Sequence, residues 1–238
     1  MYFATPAFRK RASKWPKKPY SYHLLLYTRR ITHKRSLRWE EKNMEMDNKV
    51  MMSEVGGAFV VSWLVLGSMG SDGLMAGLVL AAAMTAMAGA HILPMFTWMT
   101  IMTGDIADQD NWMNNGMRLV AQVVGALLAI VMMTEGGEID TGYAAGDMWA
   151  FDMWPLLTMV AAGAVLGTIH SRCEAWMTAL AVVMAAGALG MGVGGAHDMA
   201  SCLMGDSGNI ANAASTWLLD GLVVGVGAMV ASKIDENL

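Results

Sequence analysis

The chain has 238 residues, 55% of them hydrophobic and 15% charged, with a formal net charge of −4 and a mean hydropathy of +0.40. A water-soluble domain of this length carries more charge and less apolar residue, so an ordinary soluble core is excluded. The charge is also divided: thirteen of the sixteen Lys and Arg lie in residues 1–50 with four acids, and the other 188 residues hold only Arg118, Arg172 and Lys233 against sixteen acids.

Residues 1–50 are basic and contain no glycine. They read as an N-terminal extension, disordered or not translated, ahead of a membrane domain at 51–238. Three readings compete for the extension. It is a cytoplasmic arm on anionic lipid, an Arg/Lys-rich targeting segment, or untranslated sequence before a start at Met44 or Met46. The abrupt change of composition favours the last. No apolar stretch followed by a small-residue cleavage site marks a signal peptide.

The body then alternates apolar runs with short polar breaks. The runs are 55–71, 73–104, 119–134, 153–171, 175–197 and 212–232, the last interrupted only by Asp220. A crossing helix needs about 20 mostly apolar residues, and the pattern predicts six crossings. The second run exceeds one upright crossing by about a dozen residues. Pro94 lies inside it, and proline suits the first position of a helix. The expected solution is a crossing that ends near Ala90, followed by a short half-helix over 94–103. The fifth run repeats the arrangement: a crossing over 175–195, a half-helix over 200–205, and a turn at 205–209 before the last crossing.

Cations fix the expected orientation. With the N-terminus inside, Arg118, Arg172 and Lys233 all fall on the inner side, and both termini are cytoplasmic. The outer loops then carry Asp72, Glu135, Glu138, Asp140, Asp147, Asp198 and Asp206. Gly89-Ala90-His91 recurs as Gly195-Ala196-His197, 106 residues later, and Gly57-Ala58 pairs with Gly163-Ala164 at the same offset. Three crossings per half make this an inverted 3+3 repeat, an arrangement that places solute sites near the midplane.

All 26 glycines lie in the body. Gly56, Gly57, Gly163, Gly167, Gly187, Gly190, Gly225 and Gly227 read as points of close helix approach. The 25 methionines are scattered without a repeated cluster, which reads as core and lipid filling rather than copper binding. Cys173 and Cys202 lack metal-ligand spacing; two free thiols are expected, with a disulfide as the alternative. No nucleophile, metalloprotease, phosphate-loop or dinucleotide motif appears, so neither an enzyme nor a cofactor or metal site is expected. The basic arm suits lipid headgroups, not nucleic acid.

Ala88-Gly89-Ala90-His91-Ile92-Leu93-Pro94-Met95-Phe96-Thr97 resembles the SGAHxNPAVT loop of the major intrinsic proteins, the aquaporins and glycerol channels. Ala121-Gln122-Val123-Val124-Gly125-Ala126-Leu127-Leu128-Ala129 is similar to that family's AQxxGAxxA third span. Ser53-Glu54-Val55-Gly56-Gly57-Ala58 loosely matches its AExxGT first span. The resemblance covers about residues 52–233. It implies an all-α membrane fold of six crossings and two re-entrant half-helices, assembled as a homotetramer. Both Asn-Pro-Ala triplets are degraded, to Leu93-Pro94-Met95 and Met199-Ala200-Ser201. The donor Asn side chains are therefore lost, while the half-helix dipoles can remain. The family's outer filter maps to Gly73, Gly187, Ala196 and Cys202. An alternative alignment of Asp198-Met199-Ala200 with the second triplet puts Ser201 where the family has Arg. Neither alignment restores that Arg.

The resemblance makes Glu54 an acceptor for loop backbone. It also makes His91 and His197 ring anchors that bond loop carbonyls. Proton relays or ligands are the sharper reading of the two histidines. Asp220 stands where the family has Pro. It is either an intramembrane acid needing a partner or water, or an interfacial acid on a tilted helix. Asp198 either lines the outer mouth or caps its short helix. The function expected is passive passage of water or a small neutral solute such as glycerol across the lipid bilayer. Two alternatives stand: a closed structural relative whose pore Leu93, Met95 and Met199 fill, and a proton-coupled transporter using Asp220.

Overall fold

In the computed structural model the described residues are 48–68, 73–134, 144–149, 152–189, 192, 195–205 and 207–237. The chain divides into two units, residues 1–45 and 46–238. The three readings of the extension fall outside the described residues, as does Gly190. The helical body begins at Asn48, slightly before the boundary expected at residue 51.

Every regular element among the described residues is helical. Helix α1 (Asn48–Val60) continues as a π-helical stretch, Val61–Ser68. Then come α2 (Gly73–Ala86), α3 (Pro94–Thr103), α4 (Gln109–Met133), α5 (Met153–Arg172), α6 (Ala175–Leu189) and α7 (Gly195–Gly205). A 3-10 turn at Ser207–Asn209 leads into α8 (Ile210–Asp235).

Four helices are long and apolar enough to cross a membrane: Asn48–Gly67, Gln109–Met133, Met153–Arg172 and Ser207–Asp235. This is an all-α membrane protein. Six crossing-length helices were expected, and the structure corrects that number to four among the described residues. Helices α2 and α6 have 14 and 15 residues. At 1.5 Å per residue they reach only about 21–23 Å, against a hydrocarbon thickness of about 30 Å.

Helix α4 shows why lipid is the expected solvent. Val120, Val124, Leu128 and Val131 form an exposed stripe, whereas Asn115 and Gln122 are buried with Leu119 and Ala126. A water-soluble helix turns its polar face outward; here the apolar face is outward and the amides are inward.

Glycines set the close contacts. A Cβ on Gly125 of α4 would fall 2.2 Å from the Val55 carbonyl oxygen of α1. On Gly163 of α5 it would fall 2.1 Å from Val224 O of α8, and on Gly227 of α8, 2.1 Å from Val160 O of α5. Small residues let backbones approach where lipid gives no hydrophobic drive. The expectation needs two corrections. A Cβ on Gly187 would meet nothing within 4 Å, and one on Gly56 would make only an ordinary 3.4 Å contact with Met87. Helix α2 packs on α6, α3 on α8, and α4 on α7. The largest apolar core is built from the π-helical stretch of α1 with α2, α3, α5, α6 and α8, and includes Val65, Leu80, Leu93, Met95, Phe96, Leu166 and Val224.

Candidate functional site

The site begins with the segment between α2 and α3. A proline at 94 disfavours helical backbone in the residue before it and is itself suited to the first helical position. Helix α3 accordingly starts at Pro94, after an extended Leu93. The chain reaches it through a tight turn in which Leu93 N–H donates to His91 C=O at 2.7 Å. Ile92 lies at the centre of that turn with φ 66, a left-handed conformation that costs a β-branched residue free energy. Its side chain is 1% exposed and rests on Gly57, where a Cβ would come within 2.6 Å of Ile92 Cγ1.

One buried carboxylate holds this turn. Glu54, on α1, is 0% exposed. Its oxygens accept from His91 N–H at 2.7 Å and from Ile92 N–H at 2.8 Å. From α4, Arg118 Nη1 donates to it at 2.9 Å and Gln122 Nε2 at 2.8 Å. Arg118 also donates to Gly89 O at 3.0 Å, and Gln122 to Thr97 Oγ1 at 3.0 Å. A buried charge is tolerable when it is paired and every lone pair is used. Here four donors from two segments converge on two oxygens.

Both histidines differ from expectation. The His91 ring reaches hydroxyls of α3, with Nδ1 3.1 Å from Thr97 Oγ1 and Nε2 3.4 Å from Thr100 Oγ1, rather than loop carbonyls. The tie to the loop runs through its backbone N–H. His197 anchors no loop, because α7 begins at Gly195 and contains it; its Nδ1 is buried with no hydrogen-bond partner among the described residues. The physical reason lies at residue 200. Alanine occupies the place corresponding to Pro94, so nothing delays the helix. The half-helix expected over 200–205 therefore starts five residues sooner.

The N-termini of α3 and α7 converge. A Cβ on Gly195 would lie 3.8 Å from Pro94 Cγ. Between them is a void of about 10 Å³, lined by residues including Val61, Ser62, Leu93, Pro94, Ala196 and His197. That is about the space of one water. Two larger cavities lie toward opposite ends of α3. One, of about 80 Å³, includes Pro94, Trp98, Asp198, Met199, Trp217 and Asp220. The other, of about 260 Å³, includes Thr100, Thr103, Thr168, His170, Ser171, Ser232 and Asp235. Three of its hydroxyls donate to carbonyls of their own helices, Thr100 to Phe96 O, Thr103 to Met99 O and Thr168 to Ala164 O. They turn acceptor lone pairs to the cavity.

None of the three described cavities gathers the four filter positions. Gly73 and Gly187 lie exposed on α2 and α6, while Ala196 and Cys202 are buried, Cys202 at 0% exposure. Ala196 lines the small void; Gly73, Gly187 and Cys202 line none of these three cavities. Ser201, the alternative residue for the Arg position, is 1% exposed, and its hydroxyl has no hydrogen-bond partner among the described residues. Neither Cys173 nor Cys202 is in a disulfide. No cluster of three or more His, Cys, Asp or Glu that could hold a metal ion occurs among the described residues.

Sequence reasoning used Arg118 only to orient the chain and gave Gln122 no role beyond its motif. Their i, i+4 spacing, which puts both on one helix face, was the available signal. Trp98 and Trp217 gave no such signal. Compared with known proteins, the chain matches no family model and no curated protein.

Proposed function

We propose that this protein is a divergent channel of the major intrinsic protein type, passing water or a small neutral solute passively. The observation that carries the reading is the meeting of two short helices, N-terminus to N-terminus, inside a bundle of apolar helices. Each N-terminus presents a fractional positive charge of roughly half a unit. At the small void between them they oppose the passage of cations and leave neutral solutes as the permitted cargo. On this proposal α3 and α7 are the re-entrant half-helices, and four chains assemble. Polar cavities toward both ends of α3 serve as vestibules. Leu93, Met95 and Met199, all buried, form the apolar barrier between them.

Stopped-flow swelling of proteoliposomes tests this. Flux above that of empty vesicles, without any proton gradient, is expected. Leu93→Ala should raise solute flux several-fold, while lowering stability by about 2–5 kcal/mol as buried Leu truncations do. Equal, background swelling for the parent and Leu93→Ala would reject the channel.

A second reading is a closed structural relative. It is favoured by the void of only about 10 Å³ at the junction and by the packed core among α1, α2, α3, α5, α6 and α8. Background swelling in both proteins is its expected result.

The proposed orientation, both termini inside, has its own test. Gly146 and Asn237 are exposed. With an impermeant thiol reagent on intact cells, Gly146→Cys should label and Asn237→Cys should not. Labelling at Asn237→Cys alone would reverse the orientation.

A further inference from the structure

The cavity of about 80 Å³ between α3, α7 and α8 contains two carboxylates, Asp198 and Asp220, and no Lys or Arg among its lining residues. The two helix N-termini beside it supply about one positive charge between them, which is not enough to balance two carboxylates. A second observation is independent of these acids. Trp98 is 4% exposed and its indole Nε1 is buried without a hydrogen-bond partner among the described residues; the same holds for Nε1 of Trp217. Both indole edges lie at the cavity wall. Trp98 Nε1 sits 2.2 Å from the place a Cβ would take on Gly221, and Trp217 Nε1 3.1 Å from that place on Gly195, and both glycines line the cavity. The two rings meet edge to face, with centroids 6.5 Å apart.

A guest for this space must carry positive charge for the carboxylates and an oxygen to accept from the indoles. We infer that the cavity binds a small hydroxylated ammonium ion, a primary amino alcohol of the size of ethanolamine. Its ammonium donates to Asp198 and Asp220, and its hydroxyl oxygen accepts from an indole N–H. Buried indole N–H groups ordinarily find an acceptor, and an unpaired buried donor costs free energy that such a guest recovers. The volume fits, since a single water needs only about 10–15 Å³ by the same measure. Binding here does not depend on conduction, so the inference stands or falls apart from the channel reading.

The experiment is a titration of the full chain in detergent, followed by tryptophan emission. The probes are ethanolamine, methylammonium, glycerol and sodium, at constant ionic strength. A saturable change with ethanolamine is expected, a weaker one with methylammonium, and none with glycerol or sodium. Asp220→Asn and Asp198→Asn should each weaken ethanolamine binding by at least about tenfold. Trp217→Phe should remove much of the signal and weaken binding while keeping an aromatic ring at that place. Each variant is first checked for monodispersity, and Asp220→Asn, which conserves shape, decides the matter if Asp198→Asn does not fold. Methylammonium binding as tightly as ethanolamine, no saturable change with ethanolamine, or unchanged affinity in Asp220→Asn would overturn the assignment.

Discussion

Replacing Glu54 by Ala is expected to abolish recovery of a folded, monodisperse protein from membranes. The carboxylate is fully buried and accepts from His91 N–H, Ile92 N–H, Arg118 and Gln122. Removing one member of a buried ion pair costs about 3–5 kcal/mol, because the other is left without compensation. Each further donor left unsatisfied costs about 1–3 kcal/mol. Arg118 is 21% exposed, so water relieves part of its share; the two backbone donors and Gln122 are not relieved. The sum is comparable to a typical net folding stability of about 5–15 kcal/mol. Glu54→Gln should fall between Ala and the parent, since an amide keeps one acceptor but turns N–H groups toward donors. Arg118→Ala should be milder than Glu54→Ala. Fluorescence-detected size exclusion after a temperature ramp in detergent checks the order. Parent-like melting of Glu54→Ala would show that the carboxylate does not hold the turn.

The second large effect is expected at the seam of α5 and α8. Gly163→Ala and Gly227→Ala each put a methyl about 2.1 Å from a carbonyl oxygen of the facing helix. The atom encountered is backbone and cannot rotate away, so the helices must separate. Overpacking costs about 1–3 kcal/mol per site, with the higher end expected where backbone must move. Both substitutions should lower the thermal midpoint clearly. Gly187→Ala is the control: its Cβ meets open space, and alanine is favoured over glycine within a helix by about 0.5–1 kcal/mol. Its midpoint should hold or rise. A similar loss at all three sites would mean that glycine's flexibility, and not the close approach, is what matters.

The sequence made the helical body legible because charge is excluded from long runs and its breaks mark helix ends. Pro94 made the start of α3 readable to the residue, since the ring restricts both itself and Leu93. The start of α7 was misread because the internal repeat was trusted over local chemistry: Ala200 is a good helix former, and the helix runs back through Gly-Ala-His to Gly195. Glu54 was legible as a loop acceptor from the family resemblance. Its partners on α4 were not, because residues 64 and 68 positions away carry no local sign of their meeting. The burial of Cys202 was also illegible. An alignment places a residue along a helix, but only packing decides which face turns inward. Trp98 and Trp217 looked like two of nine tryptophans, and only the fold puts their N–H groups, unpaired among the described residues, at the wall of the cavity that holds Asp198 and Asp220.

The clamp on Glu54 bears on the order in which the protein is made. Synthesis runs from the N-terminus, and elements acquire their contacts as they emerge. When α1 enters the membrane, Glu54 arrives with no donor nearby, and an acid within a crossing segment costs about 2.5–3.5 kcal/mol on insertion scales. The His91 and Ile92 amides come next, and only with α4 do Arg118 and Gln122 complete the set. A nascent chain arrested before Arg118 therefore lacks its counter-charge, and α1 to α3 have their stable arrangement only once α4 is in place. In the second half Val160 stands 106 residues after Glu54, and α7 meets most of its backbone needs within its own turns. The ion pairs of that half among the described residues, Arg172 with Asp235 and Lys233 with Glu236, are exposed, so neither demands a buried partner from a later helix as Glu54 does.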